Sequence, residues 1–376
     1  MIYLDNAATT KPSASALEQA KCFVTDRFFN PSALYAEGFA LQSELKKARS
    51  VLLSGVAQER DFELIFTSCG TESDNHAVFA CAKRGNAVTT AGEHSAVSAP
   101  FTELKNRGVV QTRVAPLKSD GSVDEEKLLA LVDEHTSFVS VMHVNNELGG
   151  INDINAIAKA VKKKNPRTIF HSDGVQAYGK IPIRLEKEVD LYSISAHKLG
   201  GLKGVGALIK RKSLTLPPFV YGGGQESGKR SGTENTFGIM QFSYAAAEKF
   251  ASIKENYQRL TDYRERLFSA LDSSIFTRLS SKTGSPYILC VSAVGLRGEI
   301  LLHMANDKGL IVGTGSACSS NAKTRYSKIV LASGYDEKIA DGMIRLSFSA
   351  DTTEAEIDEA ARILNEVAAE LKNRMK

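Results

Sequence analysis

From about residue 62 onward, short apolar runs alternate with longer stretches whose apolar residues recur at helical spacing. Runs at Glu63–Thr67, Ala87–Thr90, Val109–Val114, Ser137–His143, Thr168–His171, Asp190–Ser195 and Val205–Ile209 read as strands. Stretches between them, such as Asp124–Glu134 and Asp153–Lys164, read as helices. This alternation predicts an α/β fold on a mainly parallel sheet covered by helices. The runs are almost unbroken in apolar character, as strands buried on both faces should be. Further along the texture changes. Gln241–Leu271 is long, charged and helical in period, and could bridge two domains. A strand near Tyr287–Val294, a helix near Glu299–Lys308, a strand at Met343–Phe348 and an amphipathic helix from Glu354 predict a smaller α/β C-terminal domain. Lys203–Gly232, with Gly222-Gly223-Gly224, reads as an extended ordered loop suited to close backbone approach.

Composition changes this picture little. With 376 residues, the chain is long enough for about two domains. Lys plus Arg exceed Asp plus Glu by 47 − 43 = 4, too small an excess to predict a nucleic-acid or membrane partner. Cys22, Cys69, Cys81, Cys290 and Cys318 are scattered and form no CxxC pair, which argues against a metal site or a disulfide framework. A reducing, cytoplasmic compartment is expected. No signal peptide is expected, because no basic stretch followed by an apolar one opens the chain. No apolar run approaches the ~20 residues of a membrane span.

Ligands of open parallel sheets bind at the carboxyl ends of the strands. Ser68-Cys69-Gly70-Thr71-Glu72-Ser73 follows the first run, Glu93-His94 the second, and Asn145-Asn146-Glu147 the fourth. Asp173 and Gln176 follow the fifth, and His197 and Lys198 the sixth. Polar groups at five strand ends point to one shared site. Gly70-Thr71-Glu72 opens a helix, where backbone N–H groups and the helix dipole can hold a phosphate; Thr71 could equally be a plain cap. Asp173 can keep a ring nitrogen protonated, as pyridoxal phosphate (PLP) needs, or it can cap a helix. His94 can stack on a flat ring or relay protons, or be structural. Lys198 can form a Schiff base if its surroundings lower its pKa, or be a solvated loop lysine. Cys318 sits among small residues in Gly313-Thr314-Gly315-Ser316-Ala317-Cys318-Ser319-Ser320 and reads as an accessible, thiolate-forming nucleophile or an incidental thiol. Arg345, inside an apolar strand, wants a carboxylate partner, from protein or from substrate.

These segments stand in a familiar order. Tyr3-Leu4-Asp5-Asn6-Ala7-Ala8-Thr9-Thr10, Asn30-Pro31-Ser32, Thr71-Glu72-Ser73, Glu93-His94, Asn145-Asn146-Glu147-Leu148-Gly149 and His171-Ser172-Asp173 come first. Ser195-Ala196-His197-Lys198, Gly222-Gly223-Gly224-Gln225-Glu226, Arg230-Ser231-Gly232-Thr233 and Gly315-Ser316-Ala317-Cys318-Ser319-Ser320 follow. Almost end to end, the chain resembles the cysteine desulfurases, fold-type I PLP enzymes related to class V aminotransferases. The resemblance implies a large PLP-binding domain at 13–255 with a mainly parallel seven-stranded sheet, and a small domain from 1–12 and 256–376 that carries the Cys318 loop. It implies that Lys198 is the Schiff-base lysine, that His94 stacks on the ring, that Asp173 pairs with the pyridine nitrogen and that Gln176 contacts the ring hydroxyl. Gly70, Thr71, Ser195 and His197 would bind the phosphate, joined by Thr233 from the second subunit of a homodimer. Asn146 and Arg345, with Asn30 nearby, would hold the carboxylate of L-cysteine. The freed Lys198 amine would remove the α-proton. Cys318 would take the sulfur as a persulfide for an acceptor protein, such as an iron–sulfur scaffold or a thiolation enzyme, leaving alanine.

The chain departs from the family pattern at Tyr35, where His is usual, at Cys69, where Gly is usual, and at Gly174, where Ala is usual. None of these removes a catalytic group. A selenocysteine lyase or another class V PLP enzyme is the alternative activity, and Cys318 argues against an aminotransferase. A non-catalytic sulfur-carrier scaffold would have no need of Lys198, Asp173, His94 and Cys318 together.

Overall fold

The computed structural model describes residues 1–315 and 325–375. A seven-stranded sheet runs in the order Phe62–Thr67, Gly206–Arg211, Leu191–Ser195, Ile169–Asp173, Thr136–Ser140, Asn86–Thr90, Gln111–Ala115. Neighbours are parallel except where Gly206–Arg211 takes part, which is antiparallel to both strands beside it. The strand expected at Val205–Ile209 therefore exists but runs against the rest. Only residues 196–205 link it to Leu191–Ser195, and a parallel return needs about a dozen or more. The central strands are sealed on both faces: Phe138, Val139, Phe170, Ile194, Ala207 and Ile209 are buried.

Several helices begin where the sequence offers a cap. Asp124 accepts from the Lys127 N–H, Asp153 from Ala156, and Thr353 forms a capping box with Glu356. The single helix expected over 241–271 is two, Thr236–Ala251 and Ile253–Ala270. They break at Ser252, whose backbone (φ −122°, ψ 16°) leaves the helical region. Its hydroxyl donates to the Glu248 carbonyl and accepts from Asn256 Nδ2, the local bonding by which serine competes with a helix.

Two principal cores form. One packs Leu41, Leu52, Phe66, Phe170 and Phe242 about the large sheet. The other draws mostly on residues 260–371, including Leu267, Leu289, Ile344 and Leu364, and is joined by Leu4 and Ala7. It surrounds the antiparallel strands Phe276–Arg278, Ile288–Ala293 and Met343–Ser347. The N-terminal segment reaches both regions. Ile2–Tyr3 pairs in parallel with Leu310–Ile311, the Ala7 N–H donates to Ser347 Oγ (2.8 Å), and the Thr10 N–H donates to the His197 carbonyl (2.8 Å).

Candidate active site

The carboxyl ends of Leu191–Ser195 and Ile169–Asp173 open on a cavity of about 310 Å³, within the range of small-molecule sites. Gly70, Thr71, His94, Asn146, Asp173, Gln176, Ser195, His197, Lys198 and Arg345 line it. Residues chosen singly at separate strand ends thus face one space. Asn30 and Thr233 do not: both are exposed, and Asn30 Oδ1 accepts from the Ser32 N–H (2.9 Å). Cys318 lies outside the described residues.

Lys198 follows Leu191–Ser195 in a short 3₁₀ turn, Ala196–Lys198. Its Nζ donates to the carbonyls of Ala7 and Ala8, both at 2.7 Å, so the N-terminal segment aims the side chain. Asp173 ends the neighbouring strand; its Oδ1 accepts from the Val175 N–H (2.9 Å). Burial holds its carboxyl up at about 7, Asp74 pushes in the same direction, and His94 and His171 act against them. His94 caps helix Ser95–Asn106 by accepting from the Ala96 N–H at Nδ1 (3.1 Å). Burial lowers its pKa, against the pull of Asp173. A neutral ring that accepts at Nδ1 carries its proton on Nε2. His197 bonds Thr9 Oγ1 through Nδ1 (3.1 Å), and burial with Lys198, Lys203 and Lys180 lowers its pKa to about 4.

One end of the cavity suits a phosphate. Helix Gly70–Cys81 begins there after Cys69, which makes no side-chain cap bond, so the N–H groups of the first turn are left for another acceptor. Ser195, 2% exposed, has a hydroxyl with no partner among the described residues and lines the same cavity. A Cβ at Gly70 would stand 2.8 Å from Val175 Cγ2, so glycine keeps this end open. Cys69 has extended backbone (φ −173°) that any residue adopts, which accounts for its standing where glycine is usual. PLP fits these groups. Its phosphate matches the helix start and Ser195, and a cationic ring nitrogen would give buried Asp173 the counter-charge it lacks.

At the other end, Arg345 is 2% exposed. It donates to Asp5 Oδ1 (2.7 Å) and to the Asn146 carbonyl (3.0 Å), while its Nε and Asn146 Oδ1 have no partner among the described residues. A protein carboxylate therefore serves Arg345, and its Nε–H is left for another acceptor. Gln176 donates Nε2 to the Ala7 carbonyl (2.8 Å) and accepts from Lys180 Nζ (2.9 Å).

Four contributors are not among the residues expected from sequence. Asp74 lines the cavity with a buried Oδ1 that accepts no hydrogen bond from the described residues, and burial raises its pKa to about 7. It lies three residues after Thr71, on the same helical face, which is the signal that marks it. Lys180 supports Gln176 from four residues on in a turn. The Ala7 and Ala8 carbonyls carry no side-chain signal at all.

The chain matches the family model Aminotransferase class-V over residues 2–360. A "NifS/IcsS protein homolog" of Lactobacillus delbrueckii subsp. bulgaricus is 38% identical over 98% of this chain and 97% of its own. A "Cysteine desulfurase" of a Nostoc species is 34% identical over 99% and 94%. Among solved structures, a "NIFS-LIKE PROTEIN" superposes with a TM-score of 0.91 at 34% identity, covering 98% of this chain and all of that one.

Proposed function

This chain belongs to the class-V aminotransferase family, and we propose that it is a PLP-dependent cysteine desulfurase. The observation that carries the reading is the convergence of Lys198, Asp173 and the unpartnered Ser195 hydroxyl on one cavity at the start of helix Gly70–Cys81. Bound there, PLP supplies an aldehyde for an amine and an electron sink for the substrate carbon. The protein does the rest. Gly70, Thr71, Ser195 and His197 hold the phosphate, and Asp173 holds the ring nitrogen's proton. Gln176 offers an N–H to the ring oxygen. Donors of Arg345 left unused by Asp5 and the Asn146 carbonyl, with the Asn146 side chain, orient the L-cysteine carboxylate. Lys198 Nζ accepts the α-proton, and His94 keeps an N–H available at Nε2. The Cys318 thiolate then attacks the substrate sulfur. An S–S bond forms, the substrate C–S bond breaks with its electron pair passing to that carbon, and protonation there, with return of the α-proton from Lys198, gives alanine. Cys318 is left as a persulfide for an acceptor protein, of the kind that assembles iron–sulfur clusters or thiolated products.

The same reading takes residues 13–255 as a large domain, and 1–12 with 256–376 as a small one, in keeping with the two principal cores. It takes the active form as a homodimer in which Thr233 serves the partner's phosphate site. Free thiols at Cys22, Cys69, Cys81 and Cys290 suit a cytoplasmic setting. No helix among the described residues is long and apolar enough to cross a membrane.

Purified protein is expected to be yellow, with borohydride fixing the cofactor on Lys198. L-cysteine with a reductant should yield alanine and sulfide. Cys318→Ala should end sulfide release and leave the cofactor spectrum intact; undiminished sulfide from that variant would remove Cys318 from the mechanism. Turnover of selenocysteine alone would assign a lyase instead.

A further inference from the structure

Lys180 is 5% exposed, and among the described residues no carboxylate pairs with it. Its Nζ donates to Gln176 Oε1 at 2.9 Å and lies 5.8 Å from the centre of the Tyr287 ring. Gln176 Nε2 donates to the Ala7 carbonyl at 2.8 Å, and Lys198 Nζ donates to that same carbonyl at 2.7 Å. One amide and one carbonyl therefore join two lysine amines. Both lysines line a small crevice of about 30 Å³, with Lys11, Lys249, Tyr287 and Asp351 also on its walls. Burial, then Lys198 and Arg345, lower the Lys180 pKa to about 7. A buried amine without a counter-ion is costly. For packing alone, an apolar side chain of similar length would serve at less cost.

We propose that Lys180 is a positioning residue for Lys198, fixing the Gln176 amide with an N–H toward the cavity and setting a second positive charge beside the reacting amine. The inference rests on Lys198 being the cofactor lysine. Both effects follow from donor and acceptor chemistry. A lysine ammonium only donates and a carbonyl only accepts. Gln176 must therefore turn Oε1 to Lys180 and Nε2 to Ala7, which leaves its second N–H for an anionic ring oxygen. Like charges on one buried network disfavour each other. While Lys180 keeps its proton, Lys198 gives its own up to solvent more readily, and the free amine is the form that attacks an aldehyde.

The test reads Lys198 itself rather than turnover. Cofactor-free wild type, Lys180→Met, Lys180→Gln and Lys180→Arg are mixed with PLP across a pH series and quenched with borohydride. Mass spectrometry then gives the fraction of Lys198 that carries the reduced adduct, and circular dichroism checks the fold. Met and Gln are expected to slow trapping on the order of ten-fold below about pH 7, where Lys180 holds its proton, and less above it. Arg should restore most of the rate. Two neutral variants keep the test decisive if one of them fails to fold. A folded neutral variant with the wild-type profile overturns the inference, as does an Arg variant as slow as Met. If wild type itself is never trapped at Lys198, the cofactor reading fails and takes this inference with it. That outcome is recognisable because all four proteins then behave alike.

Discussion

Position 174 shows how one neighbour dictates a residue. A Cβ there would stand 1.9 Å from Tyr192 Cζ and 2.4 Å from its hydroxyl. Tyr192 is buried and holds His143 Nδ1 at 2.8 Å, so the ring has reason to stay. Glycine replaces the usual alanine because the tyrosine fills that space. Gly174→Ala should cost about 1–3 kcal/mol through overpacking. The cost should largely vanish in a Tyr192→Leu background. Denaturant unfolding of the four proteins reads the coupling, and simple additivity would count against the clash. Asp74 gives a second prediction at this scale. Burial raises it to about 7, against a hydrogen bond from Ser193. With a folded pKa above the unfolded one, the folded chain keeps a proton that the unfolded chain releases. The stability this brings is full below about pH 4 and is lost as pH rises through about 7. In cofactor-free protein, Asp74→Asn should therefore gain over wild type as pH rises from about 4 to 7, then level off. A gain on the order of 2 kcal/mol or more is expected from the size of the shift. Unfolding curves at several pH values check it; a gain independent of pH would mean that Asp74 is ionised throughout.

Helix Gly70–Cys81 concentrates the phosphate argument in one element. Its first turn faces the cavity because strand Phe62–Thr67 delivers it there, and the absence of a side chain at Gly70 keeps the approach clear. Gly70→Val should press on Val175, whose N–H bonds Asp173. PLP affinity, measured by equilibrium dialysis, should weaken by ten-fold or more; unchanged affinity would place the phosphate elsewhere. The strands were legible in the sequence because a short, continuous apolar run that ends in polar residues suits a buried strand better than a surface helix. The direction of Gly206–Arg211 is set by partners distant in sequence, although the short link at 196–205 was a usable clue. The break at Ser252 was not legible, because helix-forming sequence with buried apolar positions continues on both sides of it; it depends on what one hydroxyl bonds. Site residues at strand ends could be read off in order. Lys180 and the Ala7 carbonyl could not, since their roles come from a turn and from a backbone segment placed by the fold.

At the scale of the whole molecule, Asn30 and Thr233 are the site residues, among those described, that one chain leaves outside its own cavity. Their surroundings fit a face that meets another copy. Phe28, Leu34, Phe39 and Tyr221, near Asn30 or Thr233 in sequence, are large apolar side chains left exposed, Leu34 at 89%, as side chains of an interaction surface are. Pro31 and Ser32 share a groove of about 400 Å³ with Gly223, Gly224 and Gln225, so the two segments lie side by side. In the proposed dimer each phosphate site combines Lys198 of one protomer with Thr233 of the other. This arrangement predicts complementation. Lys198→Ala protein cannot hold the cofactor covalently, and Thr233→Val protein should hold it weakly. A mixed dimer of the two has one site with both defects and one with neither. Unfolding and refolding the variants together should therefore restore, in the mixed dimer, about one tightly held cofactor for every two chains, read by absorbance after dialysis. If Thr233 served its own chain, the mixed dimer would pair every intact Lys198 with a defective phosphate site, and no tight binding would return.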